Sequence, residues 1–268
     1  MIKLSTKAHQ WVNGLGALLF PPVCLFCKQP LSADALFSDS DGSAFDPANT
    51  AGLCCSACVQ AIHIWSHQCC VRCGTGLPAA MSPGPCGHCL THPPAQAETY
   101  SLYDYHGPVR DALLEWKLQG REAAVRWLLQ AAMPRLSEMI KSDDLLLPVP
   151  MPISRMRQHG QHHAANMCHW LADEIACDWD WRVLRRIGEQ PRQSALSGSA
   201  RRKNLRKAFA LAADYGQRWR QKSSSSISVW IVDDILTTGS TLHFAAKTSL
   251  RLGMTVKVLS LARTSYKG

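Results

Sequence analysis

Several features that define common protein classes are absent from this chain of 268 residues. No apolar run approaches the ~18 residues that a transmembrane helix requires, so the sequence predicts no membrane-spanning segment. An apolar fraction of 46% with a charged fraction of 18% excludes an intrinsically disordered chain. Neither GxxxxGK[ST] nor GxGxxG occurs, which excludes the Walker A loop and the dinucleotide-binding fingerprint as phosphate sites.

The N-terminus has the charge pattern of a secretory signal peptide but not its cleavage site. Lys3 and Lys7 precede an apolar run, and no A-x-A sequence follows before the chain enters a cysteine motif. We therefore expect a short amphipathic helix within residues 1–23, packed on the module that follows.

Basic residues are concentrated in one part of the chain, which carries 29 lysine and arginine residues against 20 acidic ones. Residues 182–222 contain twelve of the basic residues and only two acidic ones, Glu189 and Asp214. The first 98 residues are nearly neutral. A polyanion is therefore expected to meet the C-terminal two-thirds of the chain, where its phosphates would be attracted most strongly.

Cysteine is plentiful, and its spacing is regular. Ten of the twelve cysteines lie between Cys24 and Cys89, and eight of them form four successive C-x-x-C pairs. Each pair offers two thiolates at the separation that tetrahedral zinc accepts, so four pairs predict two four-cysteine zinc sites. The predicted ligands are Cys24, Cys27, Cys55, Cys58, Cys70, Cys73, Cys86 and Cys89. We assign residues 24–95 to a cysteine-rich zinc-binding module.

Sequential pairing, with 24/27 joining 55/58 and 70/73 joining 86/89, is the simplest arrangement of these cysteines. A cross-braced arrangement and a single occupied site are the alternatives. Residues 32–50 are rich in Ser, Asp, Ala and Gly and predict a loop. A disulfide-rich secreted domain is a competing interpretation, against which the missing export signal argues. Four histidines lie close enough in sequence to replace a thiolate: His63, His67, His88 and His92.

After Pro93 and Pro94 the pattern changes, and residues 96–268 have the features of an α/β domain. Strands are predicted near 99–105, 145–149, 181–187, 229–232 and 255–261, with helices near 108–117, 121–140 and 162–176. Pro108 suits a first helical turn, whereas Pro134 predicts a kink or a break. Alternating strands and helices indicate a largely parallel sheet with helices on both faces and a ligand at the carboxyl ends of its strands.

The stretch 229–242, VWIVDDILTTGSTL, combines a buried strand, a polar loop and the start of a helix. Its apolar run ends in Asp233 and Asp234. Hydroxyl side chains and one glycine follow: Thr237, Thr238, Gly239, Ser240 and Thr241. Successive N–H groups at a helix N-terminus bind anions, and paired carboxylates accept hydrogen bonds from hydroxyls or hold Mg²⁺. A ribose 5-phosphate carries both groups that this stretch can bind: a phosphate for the N–H groups and vicinal hydroxyls for the carboxylates.

This stretch closely resembles the phosphoribosyl pyrophosphate (PRPP) motif of type I phosphoribosyltransferases, in which an apolar strand and two acidic residues precede a Thr-Thr-Gly-rich loop. The resemblance implies that Asp233 and Asp234, as the catalytic carboxylates, contact the ribose hydroxyls and their Mg²⁺, while residues 237–241 hold the 5-phosphate. Loss of pyrophosphate from an oxocarbenium-like C1 needs cations at the leaving group. The candidates are Lys117, Arg155, Arg157, Arg201 and Arg202.

Over nearly its whole length the chain resembles the ComF family, also called competence protein F or GntX-like proteins. The resemblance is carried by the cysteine pairs, Tyr105-x-x-Pro108-Val109-Arg110 with Lys117, LLLPVPMP, Gln193, Arg201-x-x-Asn204 with Ala208-Phe209, and VDDILTTGSTL. It implies a zinc-binding N-terminal region joined to a type I phosphoribosyltransferase domain. It also implies a role in natural transformation and the use of external DNA, with single strands handled at the cytoplasmic side of the inner membrane.

One segment departs from the family pattern. Where the family typically has Arg-Gly-Phe-Asn-Gln, this sequence has His159-Gly160-Gln161-His162-His163. In type I enzymes this region helps to form the pyrophosphate pocket, so a fixed cation is replaced by a histidine that is largely neutral near pH 7. The consequences left open are weaker pyrophosphate binding, compensation by Arg155 and Arg157, plain solvent exposure of the histidines, and a metal site formed by them.

Two functional hypotheses follow. The first is a PRPP-binding, phosphoribosyltransferase-type protein that acts in DNA uptake, with nucleotide salvage on a small base as a variant. The second is a non-catalytic nucleic-acid-binding protein with a vestigial PRPP site, in which aromatic residues of the basic segment stack with single-stranded DNA. Those residues are Trp181, Phe209, Tyr215 and Trp219, and core packing explains them equally well. The family resemblance implies a cytoplasmic protein, free or peripheral at the inner membrane beside the DNA-uptake machinery.

Overall fold

The structure is a computed structural model that describes residues 22–31, 53–65, 68–82, 84–152, 156–157, 160–187, 208–214, 219 and 227–264. These residues form two compact units. The first comprises the described part of Met1–Ile62 with Gly107–Ala131, and the second comprises His63–His106 with the described part of Ala132–Gly268. The predicted loop at 32–50, and the predicted N-terminal helix except for its last two residues, lie outside the described ranges. The domain boundaries at 23/24 and 95/96 stay a prediction.

The helices of the described residues are α1 (Ser56–Gln60), α2 (Gly87–Thr91), α3 (Gly107–Gln119), α4 (Ala123–Met139), α5 (His163–Ile175) and α6 (Ser240–Ser249). Apolar spacing predicted α3 to α6, whereas the five-residue helices α1 and α2 were not predicted. Pro108 lies in the first turn of α3, as predicted, whereas α4 continues through Pro134 without the predicted break. Within the described ranges, none of the helices combines the length and the apolarity that a membrane crossing requires.

A five-stranded parallel sheet forms the centre of the second unit. The strands of the described residues are β1 (Glu98–Asp104), β2 (Leu145–Pro148), β3 (Asp178–Trp179), β4 (Leu184–Arg186), β5 (Phe209–Leu211), β6 (Ser228–Leu236) and β7 (Thr255–Arg263). The order in the main sheet is β1-β7-β6-β2-β3, and every neighbouring pair is parallel. The predicted fold class, an α/β protein with a largely parallel sheet and cysteine-rich segments before it, is confirmed.

The strand predicted at 181–187 is not part of this sheet. Residues 184–186 form β4, which pairs only with β5 in a separate antiparallel ribbon, and β3 takes the edge position beside β2 instead. The chain leaves the sheet at Asp180, whose carboxylate accepts a hydrogen bond from the Arg182 N–H group at 2.9 Å. Such an Asp-initiated turn reverses the chain locally, which the alternation of side chains did not reveal.

Strand β6 is longer than the apolar run that predicted it. The side chains at 229–232 are fully buried, and pairing with β7 continues through Ile235 and Leu236. Asp233 and Asp234 therefore lie inside the strand rather than at its end, and both are half-buried. Strand β7, the parallel neighbour, keeps residues 233–236 extended, because backbone hydrogen bonds between strands do not depend on the polarity of the side chains.

The connections place a switch point between β2 and β6. From β2 the chain passes through α5 to β3 on one side, whereas from β6 it passes through α6 to β7 on the other. In open α/β sheets a crevice forms outside the carboxyl ends of two strands whose connections diverge in this way, and ligands bind there. The loop that follows β6 begins at this crevice.

Candidate functional site

The loop after β6 has the geometry of an anion-binding turn. Thr237 and Thr238 are exposed, and Gly239 adopts a left-handed backbone with φ of 74°, which only glycine adopts without strain. Gly239 directly precedes α6, and its carbonyl accepts the His243 N–H group at 2.8 Å. The Thr238 and Ser240 hydroxyl oxygens lie 3.3 Å apart. Backbone N–H groups of the first helical turn, with these hydroxyls, offer donors to one anion.

The acidic pair precedes this turn on the same strand. The Asp234 N–H group donates to Asp233 Oδ1 at 3.0 Å, which fixes the orientation of the first carboxylate. The structure therefore brings two carboxylates and an anion-binding turn to the carboxyl end of one central strand. Oxygen ligands of this kind suit Mg²⁺, so the donor chemistry is compatible with the predicted Mg²⁺–PRPP pair.

The described residues directly after β2 lie beside β6. Val149 continues the pairing of β2, since its N–H group donates to the Val232 carbonyl at 2.9 Å. Gly160, the glycine that this segment shares with the family pattern, has a left-handed backbone with φ of 66°. His162 precedes α5, and its Nδ1 accepts the Ala165 N–H group at 3.1 Å. The histidine is thus the N-terminal cap of a helix that packs on β2 and β6.

His162 and His163 are not solvated, so that alternative is wrong for both. His163 is 5% exposed. Burial lowers the pKa of His162, and the neighbouring His163 lowers it further, although the Asp234 carboxylate acts in the opposite direction. That electrostatic interaction indicates that His162 lies near Asp234. His159 and Arg155 lie outside the described residues.

A helix cap that must stay neutral makes stability depend on pH. The pKa of His162 is near 6.5 in the unfolded chain and lower in the folded protein, so the unfolded chain binds a proton first as the pH falls. The stability that the neutral His162 cap contributes is therefore complete above pH 6.5 and is lost as the pH falls through the lower pKa of the folded state. We expect acidification from pH 7.5 to 5 to lower the free energy of unfolding of the wild type by more than that of His162→Asn, which has a non-titrating cap. Urea unfolding at both pH values measures this, and parallel losses in the two proteins would contradict it.

The eight predicted zinc ligands form two groups of four, in the sequential pairing. The first group is Cys24, Cys27, Cys55 and Cys58, and the second group is Cys70, Cys73, Cys86 and Cys89. Within each group all sulfur atoms lie within 4.8 Å of one another. Among the residues that the structure describes, no histidine belongs to either group. Two further cysteines, Cys54 and Cys69, lie beside the groups in sequence and outside them in space.

The sulfur separations fit tetrahedral zinc. Cys27 and Cys55 have sulfurs 3.7 Å apart, and the corresponding separation between Cys73 and Cys86 is 3.8 Å. Zinc–sulfur bonds of about 2.3 Å at the tetrahedral angle require a separation of about 3.8 Å. The donor set of each group could therefore hold one zinc ion, which would supply structural cross-linking and no redox chemistry.

One thiol in each group is prepared to ionise. Burial opposes ionisation of Cys24, yet hydrogen bonds from the backbone, including the Cys55 N–H group at 3.3 Å, lower its pKa to about 6. Cys70 has the same arrangement, since the Cys86 N–H group lies 3.1 Å from its sulfur and its pKa is lowered to about 7. Backbone donors that stabilise a thiolate favour metal binding over a protonated thiol.

The two groups also share the same backbone conformation, a repeat that the sequence alone did not reveal. The Cys24 N–H group donates to the Gln29 carbonyl at 2.9 Å, and the Cys70 N–H group donates to the Thr75 carbonyl at 2.7 Å. Each group then takes its last two cysteines from the start of a five-residue helix, α1 or α2. The shared C-x-x-C spacing was the available signal, but loops of unequal length separate the two halves of each group and conceal the repeat.

The repeats differ at the turn after their first cysteine pair. Lys28 and Gly74 occupy equivalent left-handed positions, with φ of 62° and 70°. The Lys28 ammonium lies 2.8 Å from the Glu115 carboxylate, within the first unit. Gly74 lies against the side chains of Thr99 and Arg263, within the second unit. Each cysteine group is thus held by the unit that contains it.

The predicted cationic residues are only partly described. Lys117 is half-buried in the last turn of α3, and Arg157 is exposed. Arg201 and Arg202 lie outside the described residues, as does most of the basic segment 182–222. Where that segment is described, Phe209 and Trp219 are buried in the hydrophobic core, so core packing accounts for these two aromatic residues.

Comparisons with known proteins find relatives that cover most of the chain. No protein-family model matches the chain. It is 31% identical over 253 residues to the DNA utilization protein YhgH of Salmonella typhimurium, which covers 92% of this chain and 99% of that protein. It is 26% identical to Competence protein F of Haemophilus influenzae, over 78% of this chain and 90% of the relative.

Two more distant similarities cover less of the chain. Competence protein ComFC of Bacillus subtilis is 24% identical over 60% of this chain and 61% of its own length. Among solved structures, an adenine phosphoribosyltransferase covers 57% of this chain and 83% of its own, with 14% identity and a TM-score of 0.32. The near-complete match to the Salmonella protein decides the relationship, and the chain belongs to the ComF family.

Proposed function

We propose that this protein binds PRPP at the crevice between β2 and β6 and acts, as a phosphoribosyltransferase-type protein, in the uptake or use of external DNA. The observation that carries the proposal is the position of Asp233, Asp234 and the turn at Gly239 at a topological switch point. Ligands that combine an anion with vicinal hydroxyls suit this arrangement, because donors and acceptors lie on one strand and the turn that follows it.

Each part of the site has a separate role in this proposal. The N–H groups at the start of α6 and the hydroxyls of residues 237–241 bind the 5-phosphate. The carboxylates accept hydrogen bonds from the ribose hydroxyls and hold Mg²⁺, which, when bound, would neutralise the pyrophosphate. Arg155, Arg157 and Arg201 remain proposed contacts of the pyrophosphate group.

The DNA part of the proposal comes from the relatives. One is named a DNA utilization protein and the others are named competence proteins. A chain of this family with a large excess of basic residues in 182–222 suits a polyanionic partner. Cytoplasmic location and contact with the DNA-uptake machinery follow the same family expectation.

Calorimetric titration with PRPP and Mg²⁺ tests the binding claim, and absence of binding would refute it. An assay of PRPP turnover with a panel of free bases, run with and without single-stranded DNA, then separates the alternatives. Turnover with a small base indicates a salvage-type enzyme. Binding without turnover under any condition indicates a protein that keeps a PRPP site for sensing.

Single-stranded DNA binding is a second candidate function, and Trp181 favours it. This side chain is 52% exposed and lies next to Arg182 and close in sequence to the exposed Arg185. An exposed aromatic ring among cations offers a stacking surface for a base and attraction for its phosphate.

We expect Trp181→Ala to weaken single-stranded DNA binding by a factor of about 5 to 150, the range that loss of one stacked base predicts. Arg185→Glu should lower both the affinity and the slope of log affinity against log salt by about 0.7 or more, because it removes one phosphate contact. Fluorescence anisotropy with labelled oligonucleotides measures both quantities.

The control is Arg110→Glu, an equal charge reversal at an exposed arginine outside the basic segment. Equal effects of the two reversals would contradict a specific role for the segment.

A further inference from the structure

Arg263, the last residue of β7, fixes the turn of the second cysteine group. It is 7% exposed, which is rare for an arginine. Its Nη1 donates to the Cys73 carbonyl at 2.6 Å, and its Nη2 donates to the Thr75 hydroxyl at 2.9 Å. The guanidinium also lies 5.4 Å from the centre of the Trp65 ring. One buried side chain therefore binds the backbone of a predicted zinc ligand, Cys73, and the hydroxyl of Thr75 two residues further along the chain.

The backbone of the same residue holds the start of the phosphate-binding turn. Arg263 is paired with Leu236, the final residue of β6, and the Thr264 N–H group donates to the Leu236 carbonyl at 3.1 Å. The Leu236 side chain in turn packs beneath the turn, since a Cβ atom at Gly239 would lie 3.5 Å from it. A short series of contacts thus joins Cys73 to Gly239 through Arg263 and Leu236.

Zinc would fix the backbone that Arg263 contacts. Four zinc–sulfur bonds would hold the cysteines of the second group at fixed separations. The carbonyl that accepts the hydrogen bond from Arg263 Nη1 belongs to one of these cysteines, Cys73. Zinc at the second group would therefore keep this carbonyl in place for Arg263, and loss of zinc would weaken the contact.

The first cysteine group offers an internal comparison. Lys28 occupies the position equivalent to Gly74, and its charge is balanced by Glu115 at 2.8 Å. The Lys28–Glu115 pair lies within the first unit, whereas Arg263 binds the turn of the second group and is paired with Leu236. An effect on the turn at 236–239 is therefore expected from the basic residue at the second group and not from the basic residue at the first.

We propose that Arg263 is a positioning residue through which zinc at the second cysteine group orders the turn at 236–239. The part of this inference that concerns PRPP rests on the proposed PRPP site. It predicts that zinc and PRPP strengthen each other's binding. Reciprocity is required, because a zinc ion that raises PRPP affinity must itself be bound more tightly when PRPP is present.

Hydrogen exchange in the absence of PRPP tests the structural half of the proposal. Compared with the wild type, Arg263→Met and Cys89→Ser should increase the exchange rate of the amides of residues 236–241 by about tenfold, because ordering contacts are lost. Lys28→Met, the matched change at the first group, should leave these rates unchanged. Circular dichroism identifies any variant that has not folded, and Arg263→Lys provides a milder replacement. Unchanged exchange in folded Arg263→Met and Arg263→Lys would overturn the proposal.

Zinc release to a chromogenic chelator tests the ligand half. Saturating PRPP with Mg²⁺ should slow the release of one of two zinc ions from the wild type by a factor of about 5 to 150, the usual range of coupling between sites. The protection should persist in Lys28→Met and disappear in Arg263→Met.

Calorimetry of PRPP binding to the same samples separates the possible outcomes. Absence of PRPP binding to the wild type refutes the proposed function and leaves the exchange experiment to decide the structural link. PRPP binding without zinc protection refutes the coupling.

Discussion

Simultaneous replacement of Asp233 and Asp234 by asparagine is expected to weaken PRPP binding at least about 100-fold in the presence of Mg²⁺. Each carboxylate would accept hydrogen bonds from ribose hydroxyls or hold the metal, and a hydrogen bond to a charged group contributes about 1.5–3 kcal/mol. Asparagine keeps the size and one acceptor oxygen, so the contact between Asp233 Oδ1 and the Asp234 N–H group can be retained. Titration calorimetry with PRPP and Mg²⁺ measures the loss.

A matched control separates the site from a general effect of charge. Asp173→Asn removes a carboxylate from the exposed face of α5, where it lies 3.4 Å from His169. We expect this variant to bind PRPP like the wild type. The two single variants at 233 and 234 then show which carboxylate contributes more. A double variant that binds within threefold of the wild type would contradict the assignment of this pair.

Cysteine substitution in either group is expected to remove one of two zinc ions per chain. Cys70→Ser is the sharpest case, because this sulfur is fully buried and receives the Cys86 N–H group. Loss of a structural metal commonly costs a large part of the stability of a small unit, and we expect more than about 4 kcal/mol in the free energy of unfolding. Metal analysis by mass spectrometry and urea unfolding measure the two effects.

The leftover cysteines provide matched controls for these substitutions. Cys69 directly precedes Cys70, and Cys54 directly precedes Cys55, yet neither belongs to a group. Cys69→Ser and Cys54→Ser should keep both zinc ions. Absence of zinc from wild-type protein purified under reducing conditions would contradict the assignment of the cysteine groups. Equal loss of zinc in Cys69→Ser and Cys70→Ser would contradict it as well.

Local patterns predicted the parts of the fold in which sequence neighbours are also spatial neighbours. The helix predicted at 162–176 is observed as α5, because Ala164, Met167 and Leu171 repeat at helical spacing and are buried together. The C-x-x-C pairs and the stretch around Asp233 are contiguous as well, so the cysteine groups and the candidate PRPP turn can be recognised from local sequence alone.

Features that depend on contacts between distant residues could not be predicted in this way. Arg263 and Cys73 are 190 positions apart, so nothing in the sequence near either residue indicates their hydrogen bond. The same holds for the placement of residues 184–186, whose alternating pattern is compatible with the main sheet and with the separate ribbon. The neutral cap formed by His162 was hidden because a histidine in a polar segment resembles a solvated residue until its burial is known.

The most direct test of PRPP binding at this site is amide hydrogen exchange of the wild type with and without PRPP and Mg²⁺. We predict slower exchange at residues 238–241, where N–H groups would bind the 5-phosphate. No change is expected at 254–256, where β7 begins at the opposite end of the sheet. Protection at 254–256 instead, or PRPP binding with no protection at 238–241, would contradict the assignment of this turn as the phosphate site.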